Sequence, residues 1–200
     1  MNIPLDPRAL AIVREARHQF VSEGFAATRI EPIAREASVS TATLYTFFES
    51  KSALFQAVIQ QTADEFSTRL AAVRMESPPS REALINYMIK YTEFLADPFV
   101  RKMFRLVLAE RPRFHELAAE FFDKGRGDIA HQLIIMLNEL EAAGVVQFQK
   151  ASWVSSQLLG MVEHPVLLLP LAMGKDPVLS RTAAEIATDA VTTIWARYGT

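Results

Sequence analysis

The stretch TRIEPIAREASVSTATLYTFF, residues 28–48, decides the fold of this chain. Its apolar spacing predicts a short helix over about 29–37 and a second one over about 41–47. Between them Ser38-Val39-Ser40 is a turn signal, because serine hydroxyls compete with helical hydrogen bonds. Two short helices joined by so tight a turn are typical of a helix-turn-helix, whose second helix enters the major groove of DNA.

The side chains of this stretch divide into an inward and an outward set. The apolar set is predicted to form a small core that fixes the angle between the helices: Ile30, Ile33, Ala34, Val39, Leu44 and Phe48. The remaining side chains of the second helix are predicted to face outward: Thr41, Ala42, Thr43, Tyr45, Thr46 and Phe47. Hydroxyls can bond phosphates or base edges, and small or aromatic groups can touch thymine methyls.

Helical periodicity extends along the rest of the chain, so the predicted fold class is all-α. A first helix is expected over about 6–23, ending at Gly24, and a fourth is expected to begin near Lys51 after a Ser50 cap. Breaks are expected at Ser77–Ser80, Asp97-Pro98, Arg111-Pro112, Gly125 and Gly127, Gly144, and Gly174–Pro177. Two long C-terminal helices remain, over about 151–172 and 178–198. We therefore expect a three-helix head, residues 1–52, and a C-terminal helical bundle, residues 53–200.

From about Ala11 to Ile59 the sequence resembles the TetR family of transcriptional regulators. The resemblance rests on Phe20…Glu23-Gly24-Phe25…Thr28, Ile33-Ala34…Val39-Ser40, Leu44-Tyr45…Phe48 and Lys51…Leu54. It implies that Thr28 and Arg29 hold the phosphate backbone, and that Thr43 and Tyr45 touch phosphates or base edges. It also implies a phosphate contact from Lys51, which a helix N-terminus would support. Three positions depart from the family pattern: Ser38, where glycine is common, Thr41, and Phe47, where a histidine or tyrosine is common.

The charges of the head balance, which limits how strongly it attracts DNA without regard to sequence. Residues 1–56 contain six cations and six anions, and the chain as a whole has a formal charge of −2. Because phosphate neutralisation sets the salt dependence of DNA binding, we expect a shallow dependence.

The C-terminal part also resembles AefR-like TetR-family regulators, over Arg105–Phe122. This resemblance implies dimerisation and an apolar cavity for a small, unidentified effector. The candidate ligand-binding residues are Phe94, Phe104, Phe121, Met136, Trp153, Met161 and His164, although His164 is expected more as a buried histidine bonded to a carbonyl. The last two long helices are expected to form the homodimer, because the apolar face of the final helix is wider than one contact within the chain needs. A dimer would match a near-palindromic double-stranded operator.

Other classes of function lack their sequence signals. The chain has no cysteine, and it has no His-Glu-x-x-His pair, P-loop or nucleophile elbow. We therefore expect a non-enzyme with no catalytic residue, no cofactor and no metal. The apolar region 153–173 is interrupted by Glu163, His164, Pro165 and Pro170, and the N-terminus lacks a secretory pattern, so a cytoplasmic protein without a membrane span is expected.

Two alternatives stay open on the sequence alone. The first is an activator, or a regulator without small-molecule control, built on the same fold. The second is a helical ligand-binding protein or enzyme whose head does not bind DNA, which the neutral head and Phe47 keep open.

Overall fold

The computed structural model describes residues 6–71, 79–174 and 180–200, apart from the side chains of 124–126. Within these ranges the chain is helical and contains no strand, and the prediction of an all-α fold is confirmed. The α-helices are α1 Pro7–Ala27, α2 Ile30–Glu36, α3 Thr41–Phe47, α4 Lys51–Ala71, α5 Arg81–Ala96, α6 Pro98–Glu110, α7 His115–Ala142, α8 Ala151–Glu163, α9 Leu169–Met173 and α10 Ala183–Tyr198. A π-helical turn, His164–Leu168, joins α8 to α9.

The helix starts follow their capping residues. The Asp6 carboxylate accepts the backbone N–H of Arg8 at 2.8 Å, and Pro7 occupies the first position of α1, where its missing N–H costs nothing. The Ser40 hydroxyl caps α3 by accepting the N–H of Thr43 at 3.0 Å. Ser50 and Ser80 cap α4 and α5 in the same way, and the cap at Ser50 agrees with the prediction.

The predicted boundaries agree with the structure in part. The first helix is interrupted at Gly24, as predicted, where a left-handed φ of 77° is open to glycine, and a further helical segment continues to Ala27. The predicted break at Gly125 and Gly127 is wrong, because α7 continues without interruption over His115–Ala142. The predicted break at Ser77–Ser80 and the start near 178 fall largely on residues 72–78 and 175–179, outside the described residues.

Contacts divide the described chain into two compact units. The head unit comprises residues 6–66 and 102–122, and the body unit comprises 67–71, 79–101, 123–174 and 180–200. Three helices, α4, α6 and α7, therefore contribute residues to both units. The predicted division after residue 52 remains a prediction, and these units divide the chain elsewhere.

The head unit has an aromatic core that joins distant parts of the sequence. Phe55 of α4 lies 5.1 Å from both the Phe20 and the Phe25 ring centroids and 4.9 Å from that of Phe114. Phe114 belongs to the turn between α6 and α7, about sixty residues after Phe55 in the sequence. Edge-to-face pairs of this kind stabilise beyond the area that they bury.

The body unit packs α10 against α5 and α8. The apolar face of α10 is buried there within its own chain: Ile186, Ala187, Ala190, Val191 and Ile194. The exposed face of α10 carries Thr188, Asp189, Thr192, Thr193 and Arg197. Helices of the same chain already cover most of this stripe, so its width alone does not indicate a partner subunit, and a dimer through the last two helices stays a prediction.

Candidate nucleic-acid interface

The two helices of the helix-turn-helix pack on the small core that the sequence predicts. Ile30, Ile33 and Ala34 of α2 are buried, as are Leu44 and Phe48 at α3. Val39 in the turn is half-buried. This core fixes α3 from one side, so the opposite side of α3 is free to meet another molecule.

The outward side of α3 carries the side chains predicted to face DNA. Thr41, Ala42, Tyr45 and Thr46 are exposed, and Tyr45 is the most open large side chain of the helix at 49% exposure. The Thr46 hydroxyl donates to the Ala42 carbonyl at 3.0 Å. Thr43 is half-buried, and its hydroxyl lies 2.8 Å from that of Ser40. Both threonine hydroxyls still have lone pairs or protons that a phosphate or base edge can use.

Phe47 is partly covered at the end of α3. The Arg8 guanidinium lies 5.4 Å from the centroid of its ring, a cation–π distance. The Asp6 side chain holds Arg8 by hydrogen bonds and raises its pKa. Phe47 therefore contacts Arg8 at the start of α1, and it is the last residue of α3.

Thr28 is buried, with 3% of its surface exposed. Its hydroxyl is within hydrogen-bond distance of two carbonyls of α1, Gly24 at 2.7 Å and Gln19 at 3.2 Å. The expectation that this side chain reaches a phosphate is therefore corrected: it closes the end of α1. Arg29, the next residue, is exposed.

The Lys51 side chain is half-buried and is held by backbone carbonyls of the head, and its phosphate contact stays a prediction. Its ammonium donates to the carbonyl of Thr28 at 2.6 Å and to that of Ala26 at 3.1 Å, and it lies 4.8 Å from the centroid of the Phe25 ring. Burial, together with the positive charge of Arg113, lowers the pKa of Lys51. Lys51 thus caps the C-terminal end of α1, where carbonyls otherwise lack partners.

This role predicts a loss of stability when the ammonium is removed. Lys51→Met keeps the aliphatic stem near Phe25 but leaves two carbonyls without their donor, so we expect about 1 kcal/mol less free energy of unfolding. For a chain of this size that corresponds to a melting temperature lower by about 2–4 °C. Differential scanning calorimetry tests this, and an unchanged melting temperature would show that the two bonds contribute nothing.

Ser38 holds the tight turn between α2 and α3 in a left-handed conformation, with φ of 58°. Its N–H donates to the Arg35 carbonyl at 3.0 Å, and the N–H of Val39 donates to that of Ala34 at 2.9 Å. A left-handed residue with a Cβ carries a steric cost that glycine avoids. The common glycine at this position in the family has the same physical cause.

We expect Ser38→Gly to raise the free energy of unfolding by about 0.5–1 kcal/mol, because the relief of strain outweighs the greater freedom of glycine in the unfolded chain. Urea unfolding measures the change. The matched control is Ser40→Ala, which removes the α3 cap and should lower stability by about 1 kcal/mol. A destabilised Ser38→Gly variant would contradict the account of the turn.

Four of the five arginines in residues 1–52 are paired with carboxylates. Arg8 pairs with Asp6 at 2.8 Å, Arg14 with Glu15 at 2.9 Å and Arg35 with Glu36 at 3.2 Å. Arg17 pairs with Glu65 of α4. These pairs are largely exposed, so they add little stability, but they do neutralise much of the positive charge locally.

Two family models match this chain over most of its length. Residues 12–58 match the model for bacterial regulatory proteins of the TetR family, and residues 82–200 match the AefR-like transcriptional repressor, C-terminal domain. The chain belongs to the TetR family. The predicted resemblance is confirmed for the head and for the AefR-like body.

Individual relatives agree with the TetR assignment. The HTH-type transcriptional regulator UidR of Escherichia coli K12 is 30% identical over 90 residues, which are 45% of this chain and 43% of that protein. The solved structure of a proposed TetR-family regulator from Mesorhizobium loti has a TM-score of 0.82 at 25% identity and covers 96% of this chain and 97% of its own. The flavonoid-responsive regulator FrrA has a TM-score of 0.69 at 24% identity, over 96% and 97% of the two chains.

The structure distributes the predicted ligand-binding residues between the two compact units. Phe104 and Phe121 belong to the head unit, where their ring centroids are 5.3 Å apart. Phe94 and Met136 are buried in the body unit. Met161 and His164 line an open groove of about 540 Å³ between α8 and α10, whereas Trp153 is 55% exposed and lines a different groove of about 500 Å³. The expectation that His164 is buried is wrong.

A buried polar pair that sequence reasoning missed lies in the body unit. The Tyr91 hydroxyl donates to the Glu163 carboxylate at 2.8 Å, and both side chains are almost fully buried. Glu163 immediately precedes the π-helical turn that contains Pro165, where the regular α-helical hydrogen bonding is interrupted. The signal in the sequence was a glutamate next to a proline inside an apolar helix.

Within the described ranges, one helical stretch, Ala151–Met173, is long and apolar enough to cross a membrane by length and composition alone. Core helices of water-soluble proteins meet the same criterion, and 39% of its most apolar window is buried in this chain. The large apolar side chains that remain exposed along it are Trp153, Leu168, Leu169 and Met173.

Proposed function

We propose that this TetR-family protein is a transcriptional repressor that binds a near-palindromic operator as a homodimer and releases it when a small apolar molecule binds the body. The observation that carries the proposal is the outward face of α3, with exposed Thr41, Tyr45 and Thr46 opposite a fully buried Leu44. An exposed face of hydroxyls and one aromatic ring, on a helix whose other side is fixed by a core, suits a DNA groove.

The proposed dimer forms through α8 and α10. The support is the set of apolar side chains that a single chain leaves exposed on α8 and on the π-helical turn and α9 that follow it, Trp153, Leu168, Leu169 and Met173, whereas the exposed face of α10 is polar. Gly160 lies in the groove between the two helices, and a Cβ added there would meet nothing within 4 Å. A partner helix could therefore approach this groove closely, and two copies of one face make a symmetric interface.

The proposed effector is small and largely apolar, with one polar group. Phe94, Met136 and Met161 offer apolar surface in the body unit, and the buried Tyr91–Glu163 pair offers a polar anchor next to the π-helical turn. We infer that α4 carries the response, because it begins at Lys51 and contributes residues to both units. The effector can shift the balance only by its difference in affinity for the two arrangements, about 1–3 kcal/mol in typical cases.

A binding titration tests the proposal. Fluorescence anisotropy of the gene's own upstream DNA should show tight binding by the wild-type dimer at low salt. Quercetin, a flavonoid, and oleic acid are the first apolar probes, and one that binds the body should lower the DNA affinity by about 5- to 150-fold. No binding at low salt would overturn the regulator interpretation in favour of a ligand-binding protein or enzyme with an inactive head. Tighter DNA binding with the probe would overturn the direction of the response.

A further inference from the structure

The turn between α6 and α7 is built into the head unit. The Phe114 ring packs 5.1 Å from that of Phe25 and 4.9 Å from that of Phe55. The carbonyl of Glu110 accepts the N–H groups of both Arg113 and Phe114 at 3.0 Å, which fixes the backbone of the turn. The turn is thus a fixed part of the head unit, although about sixty residues of sequence separate it from the start of α4.

This position brings Arg113 next to the end of α1. Its guanidinium lies 4.9 Å from the centroid of the Phe25 ring, the same ring that Lys51 approaches to 4.8 Å. Lys51 in turn bonds the carbonyl of Thr28, and Arg29 follows directly. At this position the positive charge of Arg113 contributes, after burial, to the lowered pKa of Lys51.

The arginines near the end of α1 differ from the other arginines of the head in their ion pairs. Arg8, Arg14, Arg17 and Arg35 each have a carboxylate partner. Among the described residues, Arg29, Arg111 and Arg113 form no ion pair, and all three are exposed. The negative charge of Glu110 acts on Lys51 in the opposite direction to that of Arg113 and favours the protonated form of the lysine. Two of the three unpaired arginines therefore come from the α6–α7 turn, outside the segment that resembles a DNA-binding head.

We propose that Arg113, assisted by Arg111, binds DNA phosphate and extends the DNA contact surface of the head beyond the helix-turn-helix. The inference rests on the proposed function. A guanidinium held against an aromatic ring keeps its N–H groups directed at solvent, where they can pair with a phosphate in a fork-like manner. The charge count for residues 1–56 leaves out Arg111 and Arg113. The phosphate contribution to binding is therefore larger than the balanced charge of those residues suggests.

The test measures the salt dependence of non-specific binding, which depends on the phosphate contacts alone. Anisotropy of a mixed-sequence duplex of about 30 base pairs is titrated with protein at several salt concentrations. Because the dimer carries two copies of each residue, Arg113→Gln should make the slope of log K against log salt shallower by about 1.8, and the double variant with Arg111→Gln by about 3.6. The curves of variant and wild type should converge at high salt.

Two control variants separate a contact from a general effect of charge or folding. Arg14→Gln removes one cation from the same unit but away from the turn, and its slope should equal that of the wild type. Arg113→Lys keeps the charge and should restore the slope, whereas a purely structural role would give the same slope for all variants. Equal slopes for wild type and both glutamine variants would overturn this inference and leave the proposed function intact. No duplex binding by the wild type would overturn the proposed function, and this inference with it.

Discussion

Tyr45→Ala will reduce the affinity for the upstream DNA by about tenfold or more, because one good contact to a base edge or phosphate contributes about 1–3 kcal/mol and the dimer carries two copies. The melting temperature should stay unchanged. Tyr45 is half-exposed on the outward face of α3, and its neighbours Leu44 and Phe48 supply the packing of that helix. Removing the ring therefore takes away contact with DNA without opening a cavity.

Tyr45→Phe and Leu10→Ala are the matched controls for this result. The phenylalanine variant separates the hydroxyl from the ring, and it should lose affinity only if the hydroxyl bonds the DNA. Leu10 is another exposed apolar side chain of the head, on α1, and its truncation should leave DNA affinity unchanged. Wild-type affinity in Tyr45→Ala, or a large fall in its melting temperature, would show that α3 presents a different face.

Phe55→Ala is expected to have the largest effect on stability, a loss of about 3–5 kcal/mol in the free energy of unfolding. Phe55 is 1% exposed and contacts Phe20, Phe25 and Phe114. Its truncation leaves a cavity where α1, α4 and the α6–α7 turn meet, and a well-packed aromatic cluster cannot collapse to fill it. Urea unfolding followed by circular dichroism measures the change.

Phe55→Leu provides the matched comparison, since it keeps most of the volume and should cost less than about 1.5 kcal/mol. A Phe55→Ala variant within 1 kcal/mol of the wild type would mean that the four rings do not form a single core. The result bears on function as well, because the same cluster fixes the turn that carries Arg113.

Local signals were enough to predict the helix-turn-helix. The bounds of α3, Thr41–Phe47, agree with the sequence because Ser40 supplies a cap and Leu44 and Phe48 supply the buried side. Local signals also mark the starts of α4, α5 and α6, where a serine or an aspartate side chain caps the helix by bonding a backbone N–H two or three residues ahead. Such determinants are short-range, so the sequence displays them directly.

Long-range contacts explain most of what the sequence left hidden. Nothing in the spacing of residues 105–122 indicates that Phe114 completes the core of a head sixty residues earlier. The sequence does not indicate that Lys51 is a helix cap, because the carbonyls that it caps, on Ala26 and Thr28, lie twenty-three or more residues away.

The spacing of apolar residues predicts which face of a helix is buried. It does not show whether the helix that covers this face belongs to the same chain or to a partner subunit. The apolar stripe of α10 looked too wide for one contact, but α5 and α8 of the same chain together cover it. Similarly, Gly125 and Gly127 were expected to end a helix, yet a glycine inside a helix costs only about 1 kcal/mol, and packing along the rest of α7 outweighs that cost. In both cases tertiary contacts override local preference.

A crystal structure of the dimer bound to its upstream DNA tests the central claim most directly. We predict α3 in the major groove of each half-site, with Tyr45 and Thr43 within hydrogen-bond distance of phosphates or base edges, and the two α3 helices about one helical turn of DNA apart, roughly 34–36 Å. A complex in which DNA lies on another surface, with the outward side chains of α3 in contact with solvent alone, would contradict the account.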